Sequence, residues 1–318
     1  MFDDIAQRWP EIGERFDYWE TGKPLPPLND TAAILFQLQD PLLETFPDCY
    51  QDALELVEAA EESGTRIINS PVALSNTIKT KQSQIWCQAN LPTPRCIPFQ
   101  SIEQLHQAAF QIDGPMIIKA DNLHAQKRTL VPNGFAALQQ IPVDQIPIPG
   151  SLSPLIDTRS GYAKLDPQSP YATHFHKKRA MVFGDHVQNN HVFFSDRPVV
   201  GCMSSTFEHF RRINPIKRYT GNLRCKSHVQ CDIDFHYSEP DDARLLSEAA
   251  RLLGVEFCAI DYSTHADGSI VLWEANPYFS LHRWPITVLG RQRRLQARTP
   301  RIHAVAATFL RELLSLAS

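Results

Sequence analysis

Apolar and polar positions change period along this chain, and the changes mark its elements. Two late apolar runs, Phe257–Ile260 and Ile270–Trp273, flank Asp267-Gly268, a dipeptide that tolerates positive φ and so favours a tight hairpin between antiparallel strands. Residues 173–184, THFHKKRAMVFG, alternate and then turn apolar, which predicts a strand entering a core, with His174, His176 and Lys178 on one face, Lys177 and Arg179 on the other, and a return over His191–Ser195 across Asp185–Asn190. Pro240–Leu253 has helical apolar spacing, with Pro240 and acidic residues at its start and Gly254 as its stop. Residues 301–316 form a further amphipathic helix.

Earlier in the chain the pattern is β-α-β. Ala32–Phe36 reads as a short buried strand, Tyr50–Ser63 as a helix ended by Gly64, and Arg66–Asn69 as a second strand, which together imply a small parallel sheet. Residues 1–30 read as a surface helix and an extended proline-rich linker. Helical spacing follows over Val72–Gln88 and over Ser101–Gln111. Pro115–Ala120 (PMIIKA) is a strand, Asn133–Gln140 a short helix, Pro142–Gly150 a proline-rich connector, and Ser153–Asp157 a strand and hinge.

The 318 residues, 43% hydrophobic and 21% charged, are enough for two or three globular subdomains with real cores. A formal charge of −4 argues against a non-specific nucleic-acid binder. The acidic start, broken by Pro10, resembles neither a signal nor a transit peptide, and no apolar run approaches membrane-spanning length. A soluble, cytoplasmic protein is expected. Seven scattered cysteines suit reduced thiols better than a disulfide framework. Cys225, His228 and Cys231, with Asp232 and His236 nearby, raise zinc as a candidate, but lack paired Cys-x-x-Cys knuckles.

With Asp267 and Gly268 as the central turn residues, Ala266 faces Ser269, and counting outward sets Asp261 opposite Glu274. Asn276 lies two residues further on the same face. Opposed carboxylates repel. A divalent cation relieves the repulsion, and carboxylate and amide oxygens suit Mg²⁺; the other reading makes the two acids solvated strand-end charges.

Asp261, an antiparallel return, then Glu274-Ala275-Asn276-Pro277 resembles the metal-binding end of the ATP-grasp superfamily, in particular its glutathione synthetase and ribosomal-protein glutamate ligase branch. The resemblance covers roughly residues 30–285 and takes in Leu91-Pro92-Thr93-Pro94, the Asp40-Pro41 loop and Asn69-Ser70-Pro71. It implies an α+β ATP-grasp fold: an N-terminal parallel α/β domain (1–75), a lid subdomain (76–158) and a C-terminal subdomain (159–318), with nucleotide held between two β-sheets. It also implies an ATP-dependent carboxylate-amine ligase working through an acyl phosphate, with ATP and Mg²⁺ (or Mn²⁺) as cofactors. A kinase of the same fold, and a nucleotide-binding protein with a decayed site, stand as alternatives.

Residue by residue, the resemblance places metal on Asp261, Glu274 and Asn276, and nucleotide phosphate on Lys81 and Lys119. Arg179, like Lys119, falls on the transferring phosphate, and Pro154 and Asp157 fall near adenine. The family's glycine-rich lid turn is replaced by 121–128, DNLHAQKR, where His124, Lys127 and Arg128 could meet phosphate through side chains. His282 and Arg283 follow the metal motif and could reach an anionic substrate; the basic run 291–301 reads as a solvated surface. The implied partners are a small-molecule acid and amine, such as an amino acid or peptide; no membrane or specific nucleic acid is expected, and a homo-oligomer is allowed.

Overall fold

The computed structural model describes residues 1–39, 41–121, 128–201, 204–206, 225–279, 281 and 298–315. Three sheets follow in chain order. After a short helix α1 (Phe2–Arg8), strands β1 (Ala33–Leu35) and β2 (Arg66–Ile68) pair in parallel, and helix α2 (Pro47–Ser63) makes the crossover. Gly64 ends α2 at φ 72°, the left-handed cap its sequence position called for.

The helical run expected over 72–88 is broken. Ile78, at φ −60° and ψ 133°, separates a short turn of helix from α3 (Lys79–Gln88). Its first turn is capped from far along the chain: the Asp121 carboxylate accepts from Thr80 N at 3.1 Å and from Thr80 Oγ1 at 2.6 Å. No local cap was there to be read.

Strands β3 (Ile97–Phe99), β4 (Met116–Ala120) and β5 (Gly150–Pro154) form an antiparallel sheet in the order β3-β5-β4, covered by helix α4 (Ile102–Ala109) around a core of Phe99, Leu105, Ile118 and Leu152. Ser101 caps α4, its side chain accepting from Gln104 N. The third sheet, also antiparallel, runs β7-β6-β8-β9, with β6 Phe175–Phe183, β7 His186–Ser195, β8 Phe257–Thr264 and β9 Ile270–Asn276. The β6–β7 turn is tighter than expected, since pairing already starts at Phe183↔His186. Helices α5 (Lys226–Tyr237) and α6 (Ala243–Leu252) precede β8, and α7 (Arg298–Ser315) closes the described chain. Helix α6 starts at an Asp242 cap, later than Pro240.

The two faces of this sheet have different covers. Ala180, Val182, Cys258 and Ile260 pack with Phe235, Leu246 and Trp86, whereas Met181, Phe183, Phe257 and Ala259 pack under Ile302, Ala306 and Phe309 of α7. Because side chains alternate along a strand, Lys177, Arg179 and Asp261 lie on the face of Met181 and Phe183. The apolar positions of that face meet α7; the polar positions lie beyond them. Asn69 ties the first sheet to the third by bonding both backbone groups of Phe257, at 2.7 and 3.1 Å.

His176 lies, as strand alternation predicts, on the face opposite Lys177 and Arg179, buried beside Tyr171 and Phe194. Its Nε2 accepts from Thr264 N at 3.2 Å, and burial, with Lys178 and His265 adding to it, lowers its pKa to about 3. Folding therefore resists its protonation. The stability this contributes is complete above the unfolded imidazole pKa of 6.5 and is lost as pH falls from there toward about 3. His176→Gln is expected to remove an acid-side loss of stability on the order of 5 kcal/mol, measured as the difference between the two proteins' urea unfolding free energies across that window.

Candidate active site

Strand register builds the site. Arg179 on β6 pairs directly with Asp261 on β8, and Asp261 pairs with Glu274 on β9. The expected opposition of the two acids is therefore present, but by a different route. The hairpin closes one residue earlier than the count assumed, with Thr264↔Ile270 as a pair, His265 N bonded to Ser269 O at 2.8 Å, and a three-residue tip. Trp273 is then an extra residue in β9, a β-bulge that returns Glu274 to Asp261. Trp273 Nε1 donates to Ser263 Oγ at 2.7 Å.

Asp261 is fully buried. Arg179 forks onto it, Nε to Oδ1 at 2.6 Å and Nη2 to Oδ2 at 2.9 Å, and Lys177 Nζ donates to Oδ2 at 2.6 Å. Lys177 Nζ also stands 3.4 Å from Glu274 Oε1, so one ammonium bridges the two carboxylates. The repulsion that suggested a metal is thus already relieved by side chains. To ligate a metal through Oδ2, Asp261 would have to give up one of these bonds.

Burial works against charge on Lys177, but Asp261 and Glu274 more than offset it and raise its pKa. Burial likewise pushes the Glu274 carboxyl up, yet the Lys177 and Lys119 charges, contact with Asp261 and the Lys79 charge hold it well below the usual carboxylate range. Burial depresses the Lys79 ammonium, with Glu274 opposing that shift and Lys119 adding to it. Four cations, Lys79, Lys119, Lys177 and Arg179, thus surround Asp261 and Glu274 where α3 and the end of β4 meet the third sheet.

Of the two lysines at the start of α3, the earlier one faces this cluster. Lys79 Nζ donates to Asp121 O at 3.0 Å, while Lys81 is exposed and donates to Ser75 Oγ at 2.7 Å. Gln82 was missed by the sequence reading. Buried on α3, it accepts from Ala275 N at 2.7 Å and donates to Trp273 O at 3.2 Å, holding the backbone on both sides of Glu274. Asp157 is not drawn in: Arg159 binds both its oxygens, at 2.9 and 2.6 Å, and holds its carboxyl below the ordinary range despite partial burial. Asp40, His124, Lys127, His282, Arg283 and residues 291–297 of the basic run lie outside the described residues.

A hard divalent cation finds oxygen donors at one edge of this cluster. Glu274 is partly exposed and meets Lys177 through only one oxygen, at the longer distance. The Asn276 Nδ2 position is buried without a hydrogen-bond partner. Amide nitrogen and oxygen can exchange places by a flip, so Asn276 can offer oxygen there. Cys225, His228, Cys231, Asp232 and His236 lie along the start and body of α5. Among the described residues no three His, Cys, Asp or Glu side chains converge as a metal site. No described helix is long and apolar enough to cross a membrane.

No family model and no curated protein matches the chain. Among solved structures it is similar to ATP-grasp ligases. One is the ligase PsnB complexed with minimal precursor, Mg and ADP, at 18% identity, covering 87% of this chain and 78% of that one, with a TM-score of 0.49. Another is D-alanine-D-alanine ligase from Coxiella burnetii, at 8% identity, covering 84% and 66%, with a TM-score of 0.45. A third is L-amino acid ligase from Bacillus licheniformis, at 12% identity, covering 74% and 54%, with a TM-score of 0.41. At these values the similarity reaches no further than the general course of the chain.

The buried Asp261 and the exposed Lys81 predict unequal stabilities. Asp261→Asn is expected to destabilise the protein by about 3–5 kcal/mol, because it leaves two desolvated cations short of a counter-charge. Lys81→Ala should stay within about 0.5 kcal/mol of the parent. Urea unfolding of the two variants measures the difference.

Proposed function

We propose that this chain is an ATP-dependent ligase that joins a carboxylate to an amine through an acyl phosphate. The observation that carries the reading is the group of four cations held around two carboxylates between the lid-side sheet and the third sheet. Counting Asp121, whose backbone oxygen holds Lys79, the cluster still carries one positive charge in excess. That surplus suits a polyanion, which can shed its hydration there only if fixed cations replace water.

In this reading 76–158 acts as the lid subdomain and 159–318 as the catalytic one. Lys119 and Lys79, the latter in the role expected of Lys81, bind phosphate oxygens. Arg179, whose plane is fixed by its fork on Asp261, stabilises charge on the phosphoryl group in flight. Glu274 and Asn276 hold the divalent cation, with the Glu274 backbone steadied by Gln82. Mg²⁺, or Mn²⁺ in its place, supplies neutralisation of phosphate charge when bound. The acid attacks the terminal phosphoryl group, ADP leaves, and the amine then displaces phosphate from the acyl carbon. No side-chain nucleophile is required, since positioning and charge stabilisation carry such transfers. The acid and amine are small molecules, with amino acids and peptides as the first classes to screen.

Two outcomes test the reading. Glu274→Gln should abolish ATP-dependent phosphate release, assayed with a panel of amino acids and small peptides and with product masses recorded, while circular dichroism stays unchanged; undiminished turnover overturns the assignment. Lys79→Ala should weaken ATP binding by about 10–100-fold, the loss of one charge-assisted contact. Lys81→Ala should leave binding near the parent value.

A further inference from the structure

Carboxylates facing each other across adjacent strands need positive charge between them. Here that charge belongs to the chain. Lys177 and Arg179 are two residues apart on one face of β6, so Arg179 meets Asp261 squarely across the strands, while the more flexible Lys177 reaches diagonally into the gap toward Glu274. Its Nζ lies 2.6 Å from Asp261 Oδ2 and 3.4 Å from Glu274 Oε1. Asp261, Glu274, Lys177 and Arg179 together sum to zero charge. The quartet is neutral before any ion arrives.

A dication entering between the two acids would have to take Oδ2 from Lys177 and leave a desolvated ammonium beside it with like charge. Asp261 is wholly shielded from solvent, so an approaching ion also lacks the water through which it could exchange ligands. The edge formed by Glu274 and Asn276 carries neither obstacle: Glu274 is partly exposed, and the buried Asn276 amide has an unpartnered position.

We propose that Lys177 occupies the cation position between Asp261 and Glu274 and excludes a divalent ion from it, so that the site takes its metal only at Glu274 and Asn276. The inference rests on the nucleotide-and-metal reading given above. Lys177 is then a resident counter-ion, and Asp261 a positioning residue for Lys177 and Arg179.

The probe is Mn²⁺, counted per chain by electron paramagnetic resonance of the free ion, on the full chain with and without ADP. Lys177→Met is expected to bind one ion more than the parent, and that additional ion should vanish when Asp261→Asn is combined with it. Equal counts in parent and Lys177→Met overturn the proposal. Should Lys177→Met fail to fold, Lys177→Gln replaces it. Parent crystals soaked in Mn²⁺ and ADP give an independent decision: anomalous density bonded to an Asp261 oxygen overturns the inference, and density at Glu274 with none at Asp261 supports it. ADP binding measured by calorimetry in the presence of a chelator tests the nucleotide reading separately. Its failure would sink that reading, while the difference in ion count between parent and Lys177→Met would still decide the role of Lys177.

Discussion

A carboxylate with no access to water must find its hydrogen-bond donors inside the protein, and Asp261 finds three, from Lys177 and Arg179. All three come from β6, the strand next to its own, so the constraint acts across the centre of the sheet. It fixes the plane of a guanidinium, the reach of an ammonium and, through that ammonium, the position of Glu274 one strand further on. Losing any member would leave another charge buried without compensation, which is far more costly than never having buried it.

The surroundings are arranged to keep this group ordered. On one side α7 covers the apolar part of the same sheet face over Met181 and Phe183. On the other, α3 lies along the free edge of β9, where Gln82 serves the backbone on either side of Glu274 and Thr93 and Pro92 bond Leu272. The same helix is capped by Asp121 at the end of β4. One short helix thus meets the second sheet at its start, through Asp121, and the third sheet through Gln82.

Much of this was legible in the sequence. Alternation placed the strands, Gly64 and Gly254 ended their helices, and Lys177 and Arg179 fell on one face by simple parity. The opposition of Asp261 and Glu274 was also reached, although two miscounts cancelled: the turn was taken one residue too far along, and the bulge at Trp273 went unseen. A bulge leaves no local signature in a strand of good β-formers. Which of Lys79 and Lys81 faces the charge cluster was hidden for a related reason. Helical spacing ran smoothly through Ile78, and only the tertiary cap by Asp121, 41 residues from Thr80, shows where the helix begins and which lysine faces inward. Gln82 was unreadable in the same sense, because a glutamine on a helix takes its meaning from the strand edge it meets.

The tip of the last hairpin is decoupled from the chemistry. Phase along β9 is set behind the tip, where Trp273 is tethered to Ser263 and the strand resumes step with Asp261. Extra residues inserted at 266–268 would lengthen an exposed bend without rotating Glu274 off its face. A residue added between Trp273 and Glu274 would instead turn Glu274 to the other face. The segment tolerant of grafted sequence and the segment intolerant of added length are therefore neighbours, separated by about half a strand.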